Sequence, residues 1–348
     1  MNTNCPTTKL LTALTAAVLS LGAAPAVAQT STVYRSSTMD YYYWFPTFTQ
    51  PIYIDLVGHG LNGRSFNGKL LDGHTVVAVK LDGVQLQSGQ QKDLTLVDTL
   101  FGLDHGQDKN QGKNAPKLAK SQAVAAPGLV FHATLDDGDD VLLRIDSVEP
   151  ATTGPNSYLR YVVTYASESG WVPLCGTDES GNLGRAVPLN GRWNYEQGVS
   201  GGGDFVSDDD IFTFACEGHV LAKCVAMGYP PWANGKLCDA DGKHCTAGTL
   251  APWHQACTRL LRADFCGDGT SWTLDGTGIL VRDGVGIRGE QDQGALEAEW
   301  DENGARCAVR ERITTDLEPP CMAALALPTC GDPANMSSGT RLVSEIPL

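Results

Sequence analysis

The stretch His254-Gln-Ala-Cys257-Thr-Arg-Leu-Leu-Arg-Ala-Asp264-Phe265-Cys266-Gly267-Asp268-Gly269 decides how the second half of this chain is read. Just upstream, Pro252 suits the first turn of a helix, where its missing N–H costs nothing. Trp253, Cys257, Leu260 and Leu261 then share an inner face. Arg259 and Arg262 complement the helix dipole at the far end. The pattern predicts a helix from Pro252 to about Ala263 that runs into a polar turn. On one helix Cys257 and Cys266 would lie roughly 13 Å apart along the axis, whereas a disulfide holds its Cα atoms about 4.4–6.8 Å apart. The two should not pair unless the helix ends early.

Ten cysteines follow residue 174: Cys175, Cys216, Cys224, Cys238, Cys245, Cys257, Cys266, Cys307, Cys321 and Cys330. An even number in an exported chain indicates disulfides. Ile211-Phe-Thr-Phe-Ala-Cys216 reads as a buried strand. Gly218 to Gly228 reads as a helix with Val220, Leu221, Cys224 and Val225 on one face. The expected bonds are Cys224 with Cys257 across the two helices, Cys238 with Cys245 around a short Asp-Gly loop, and Cys321 with Cys330 near the C-terminus. Cys175, Cys216, Cys266 and Cys307 would share the other two. Residues 271–284 read as strands and turns, residues 296–309 as a hairpin, and those beyond about 333 as a loosely ordered tail.

The first half carries no cysteine after Cys5. Tyr41, Tyr42, Tyr43, Trp44, Phe45 and Phe48 form an aromatic strip expected to cover apolar surface. From Leu61 an apolar residue recurs every five positions, with Gly63, Gly68, Gly73 and Gly83 two residues after one of them. This beat resembles pentapeptide-repeat β-helices over about 26 residues. Short strands with Asn-Gly and Asp-Gly turns compete with that reading. The lysine-bearing stretch 104–120 reads as an exposed loop. Residues 129–135 and 141–145 read as strands around an acidic turn, 158–165 as a further strand, and 150–155 as the boundary between the halves.

Lys9, the apolar run Leu10–Leu21 and the small residues Ala26 and Ala28 read as a signal peptide over 1–28. The apolar run is too short for a membrane span, which takes about 20 residues. The remaining chain carries 24 basic against 40 acidic residues, a formal charge of −16. That argues against nucleic acid or anionic lipid as a partner, because both need a positive footprint. A periplasmic or secreted location is expected.

Phe212-Thr-Phe-Ala-Cys216, Ala222-Lys-Cys224, Gly228-Tyr-Pro-Pro-Trp232, His254-Gln-Ala-Cys257 and Arg262-Ala-Asp-Phe-Cys266-Gly-Asp-Gly269 together resemble the bacterial ADYC domain. The family takes its name from the motif that stands here as Ala263-Asp264-Phe265-Cys266. Phe265 replaces the family's tyrosine and removes only the phenolic hydroxyl. The resemblance covers roughly residues 157–310. It implies an exported bacterial protein and supplies no activity.

Four chemistries are open to these residues. Calcium needs 6–8 oxygens; Asp239-Ala-Asp241-Gly242 resembles the start of a calcium loop, and Asp264, Asp268, Asp275 and Asp283 are further oxygen donors, but the spacing fits caps and turns as well. A zinc site from Cys238, His244 and Cys245 lacks a second ligand pair, and no C-x-x-C redox pair occurs. A hydrolase site would use His254 as base, Asp264 or Asp268 to orient it, and Thr270 or Ser271 as nucleophile. No cofactor is required by the leading reading, an exported disulfide-stabilised binding protein for an extracellular protein or glycan; the hydrolase centred on His254, Asp264 and Asp268 is the alternative. The expected fold class is α+β. A β-rich region spans 29–155, with a short pentapeptide-like β-helical segment as one option. A disulfide-rich domain over 156–333 carries two short helices packed on strands, and 334–348 form a tail.

Overall fold

The computed structural model describes residues 76–103, 123–124, 126–151, 158–178, 180–194, 196–198, 202–238, 245–274, 277–288, 294–312, 318–324, 326–331 and 338–348. Residues 1–28, the aromatic strip, the first part of the five-residue beat, residues 104–120 and the stretch containing Asp239, Asp241 and His244 lie outside these residues, as does Asp275.

Six strands close into a barrel: β1 (Val76–Lys80), β2 (Val130–Leu135), β3 (Asp140–Pro150), β4 (Leu159–Ser167), β5 (Ala186–Asn190) and β6 (Ile211–Cys216). The order around it is β1-β6-β5-β4-β3-β2, all antiparallel, and β2 returns to β1 through Ala78↔Thr134 and Val79↔Ala133. Closure leaves no unpaired edge between these strands. Burial alternates along β2, with Phe131, Ala133 and Leu135 inside, and β3 adds Val141, Leu143 and Ile145 to the same core. Phe101 enters this core from a hairpin of strands Leu94–Val97 and Leu100–Leu103, its ring 5.0 Å from Phe131 and 5.4 Å from Phe212. Full burial of each such ring stabilises the fold by roughly 1.5–3 kcal/mol.

Helix α1 (Val220–Ala226) covers a second face of β5 and β6, packing Leu221, Ala222 and Val225 with Val187, Leu189 and Ala215. A hairpin of β7 (Asn234–Cys238) and β8 (Cys245–Thr249) leads into α2 (Ala251–Arg262). Four more strands form a second sheet: β9 (Leu280–Asp283), β10 (Gly294–Asp301), β11 (Gly304–Ala308) and β12 (Leu342–Pro347), in the order β9-β12-β10-β11. Leu260 and Phe265 pack with Ala298, Trp300 and Leu342 between α2 and this sheet.

The α+β expectation is corrected by this architecture. The described residues hold nineteen strands but only three helices, of 7, 12 and 4 residues, and a closed barrel carries the largest core. The β-helical option is overturned as well. β1 and the short strand Val84–Gln85 both pair antiparallel with β2, through Val76↔Leu135 and Gln85↔Val130. Stacked parallel coils would give neither pairing. Gly83, at φ +64, makes the turn between them, a conformation that favours glycine. The segment 150–155 connects β3 and β4, which pair from Leu143↔Tyr165 to Pro150↔Leu159, so one barrel draws strands from both sides of it. The supposed tail supplies β12, whose Leu342, Val343, Ser344 and Glu345 are buried between β9 and β10.

Four disulfides join the described residues: Cys175–Cys216, Cys224–Cys257, Cys266–Cys321 and Cys307–Cys330. The cross-helix bond is the one expected, with its Cα atoms 5.8 Å apart. Cys321 does not pair with Cys330, because α2 ends at Arg262 and brings Cys266 to Cys321 instead. Cys245 is disulfide-bonded and stands opposite Cys238 in the hairpin register.

Candidate functional site

Helix α2 stops where Ala263 takes a left-handed conformation, φ 52, and its amide bonds the Leu260 carbonyl. That reversal turns the Asp264 carboxylate back toward the helix, where it is wholly buried. Its Oδ2 accepts Arg259 Nη1 at 2.6 Å and the Gly269 amide at 2.9 Å, and its Oδ1 accepts the Asp268 amide at 3.1 Å. Arg259, also fully buried, donates further to the Gly202 carbonyl at 2.7 Å, to Asp204 at 2.6 Å and to the Glu302 carbonyl at 3.3 Å. Burial pushes the Asp264 carboxyl up, against the pull of Arg259 and the Gly269 amide. Backbones meet closely here. A Cβ at Gly198 would overlap the Gly269 carbonyl, and one at Gly267 would overlap the Asn303 carbonyl.

His254 is 1% exposed. Its Nε2 lies 3.0 Å from the Leu221 carbonyl, which can only accept, so that nitrogen carries the proton. The ring stands 5.7 Å from that of Trp193, whose Nε1 donates to Gln255 at 2.8 Å; Gln255 in turn donates to the Gly203 carbonyl. Burial pushes the His254 pKa down to about 4. His254 stands near the start of α2 and Asp264 lies beyond its end at Arg262, which is roughly 12 Å along the axis from His254 at helical rise. Asp268 is exposed and accepts the Thr270 amide, and Ser271 donates to the Arg262 carbonyl. The structure thus brings Asp264 and Asp268 into one loop and holds His254 in a different set of contacts.

Asp283, one of the candidate calcium donors, accepts four amides, from Val285, Gly286, Ile287 and Arg288, and the Tyr229 hydroxyl at 2.7 Å. Burial pushes both the Asp283 carboxyl and the Tyr229 phenol up. Arg312 holds Glu297 through two bonds, 2.9 and 2.8 Å, and reaches the Leu261 carbonyl. Sequence reasoning missed Arg259 as the partner of Asp264, together with Gly202, Asp204, Trp193 and Gln255. The Gly201-Gly-Gly-Asp204 run was the one available signal. The Glu297–Arg312 pair left none, since its members stand on separate segments.

Each position of the motif now has a physical task. Ala263 ends the helix, Asp264 binds Arg259 and the following loop, Phe265 packs its ring 5.2 Å from Trp300, and Cys266 bonds Cys321. No curated protein and no solved structure matches the chain. The ADYC domain model matches residues 126–314, more than half of the 348 residues and from β2 of the barrel onward. The chain belongs to the ADYC domain family.

Proposed function

We propose that this chain is an exported, disulfide-stabilised binding protein whose ADYC motif is scaffold, and that it engages a cationic polypeptide. The observation that carries this reading is the run Asp204-Phe-Val-Ser-Asp-Asp-Asp210, exposed throughout, with Phe205 and Val206 among the large apolar side chains open to solvent. Val206 and Phe205 pair with Arg192 and Trp193 in a two-stranded ribbon, and the Phe205 ring lies 5.1 Å from that of Trp193. The exposed Phe205 ring beside carboxylates suits a Lys- or Arg-rich strand, through ion pairing, cation–π contact and pairing along the ribbon. The net charge of −15 favours the same partner. Export is supported by the signal-like leader and by the disulfides, which belong to oxidising compartments. No helix among the described residues is long and apolar enough to cross a membrane.

The hydrolase alternative asks His254 to reach substrate, whereas its Nε2 is held by Leu221 beneath the surface. Fluorescence anisotropy with a labelled peptide alternating Lys and Phe tests the binding reading. Salt-sensitive binding, weakened about tenfold or more in Phe205→Ser/Val206→Ser, is expected. Equal binding of a Glu/Phe counterpart, or indifference to the double substitution, refutes it. Ester or glycoside turnover by the purified chain that His254→Gln abolishes with the fold intact would reinstate the hydrolase.

A further inference from the structure

We infer that Glu299, Cys307 and Cys330 form a redox-gated site for a thiophilic divalent cation: a disulfide beside a carboxylate when oxidised, a two-thiolate, one-carboxylate ligand set when reduced. Among the described residues this is the one group of three His, Cys, Asp or Glu side chains with ligand atoms all within 4.8 Å of one another. A tetrahedral zinc centre with bonds of about 2.0–2.3 Å places neighbouring ligand atoms roughly 3.5 Å apart, so the group needs little adjustment beyond separation of the two sulfurs.

The fold prepares this set. Glu299 on β10 and Cys307 on β11 are register partners, and only 3% and 5% of their surfaces are exposed. Thr340 Oγ1 donates to Glu299 Oε2 at 2.7 Å, the kind of contact that orients a metal-binding carboxylate. Cys330 comes from outside the sheet and is half-buried, with Thr329 and Gly331 exposed on either side. That segment is tied to β11 by the Ala308 amide on the Pro328 carbonyl and the Ala308↔Thr329 bridge, which keep Cys330 beside Glu299 and Cys307 once the sulfur–sulfur bond is reduced. Three protein ligands leave a fourth position for water or a partner's group.

The chemistry balances with named co-reactants. A dithiol reductant gives two electrons and two protons to the Cys307–Cys330 bond and is itself oxidised to a disulfide. Cation binding then displaces both thiol protons to solvent. Exchange with a second disulfide reverses the sequence, takes the two electrons and releases the cation.

The test uses the full chain, treated briefly with a dithiol that is then removed under anaerobic conditions, and titrated with Co2+ alone. The expected result is one Co2+ per chain with a thiolate-to-cobalt charge-transfer band. Affinity should fall about tenfold or more in Thr340→Val, and further in Glu299→Gln, with the band retained. Cys307→Ser/Cys330→Ser keeps the other cysteines and should lose the band. Alkylation mapping of the same sample should place the new thiols at Cys307 and Cys330. Cobalt binding that survives in that double variant, no binding in the reduced chain, or equal affinity in Glu299→Gln would overturn the site. Circular dichroism of each variant separates a lost site from a lost fold.

Discussion

Replacing His254 with Gln should change how stability depends on pH. The folded imidazole is held neutral down to about pH 4 by burial, whereas in the unfolded chain it titrates near 6.5. Above 6.5 it is neutral in both states and contributes no pH dependence. Between 6.5 and about 4 the unfolded chain takes up a proton that the folded chain refuses, so stability falls as pH falls. Below about 4 the loss levels off. At about 1.4 kcal/mol per pH unit, the window corresponds to roughly 3 kcal/mol for a side chain this buried. Gln stays neutral and can still donate to the Leu221 carbonyl. Asp264 and Asp283, pushed up by burial, act in the opposite sense as pH falls, but both proteins share them. The assay is denaturant unfolding with disulfides intact, from pH 8 to 4.5, for wild type and His254→Gln. The difference between the two should narrow or reverse by roughly 2–3 kcal/mol in favour of the variant. Parallel profiles would refute the assignment of His254 as a buried neutral group.

Three further outcomes follow from the same geometry. Asp264→Asn removes the carboxylate that meets Arg259 at 2.6 Å inside the protein and should cost about 3–5 kcal/mol in the same unfolding assay. A loss below about 1 kcal/mol would show that Asp204 and the Gly202 carbonyl suffice for Arg259. Gly267→Ala, at φ +68 with its Cβ directed into the Asn303 carbonyl, should cost about 2 kcal/mol or more, read as a lowered melting temperature. Cys224→Ala/Cys257→Ala should lose about 2–4 kcal/mol while the remaining bonds still form, checked by unfolding and by disulfide mapping.

Local patterns were legible where neighbours in sequence are neighbours in space. The strand–acidic turn–strand at 129–145 and the hairpin at 296–309 are such cases, and both form as their alternation and turns suggest. The pairing of Cys224 with Cys257 could also be anticipated, because two amphipathic helices each present a cysteine on their apolar face. The barrel was not legible. β1 pairs with β6 across some 130 residues, and no local periodicity encodes such a partner. β12 reads as a tail in sequence because its six residues acquire a buried face only between β9 and β10. The separation of His254 from Asp264 was hidden for a related reason. Proximity in sequence suggested that His254 and Asp264 could meet, but the helix between them keeps them apart and gives Asp264 to Arg259.

The sequence alone determined the ADYC membership, the disulfide-rich character, the acidity and the two main helices, because composition, motif spacing and helical period are local quantities. Tertiary structure alone decided the closed barrel, the partners of Cys266, Cys307, Cys321 and Cys330, and the burial of His254 and Asp264. Those depend on which distant segments share a face, and on how much water is removed when they do.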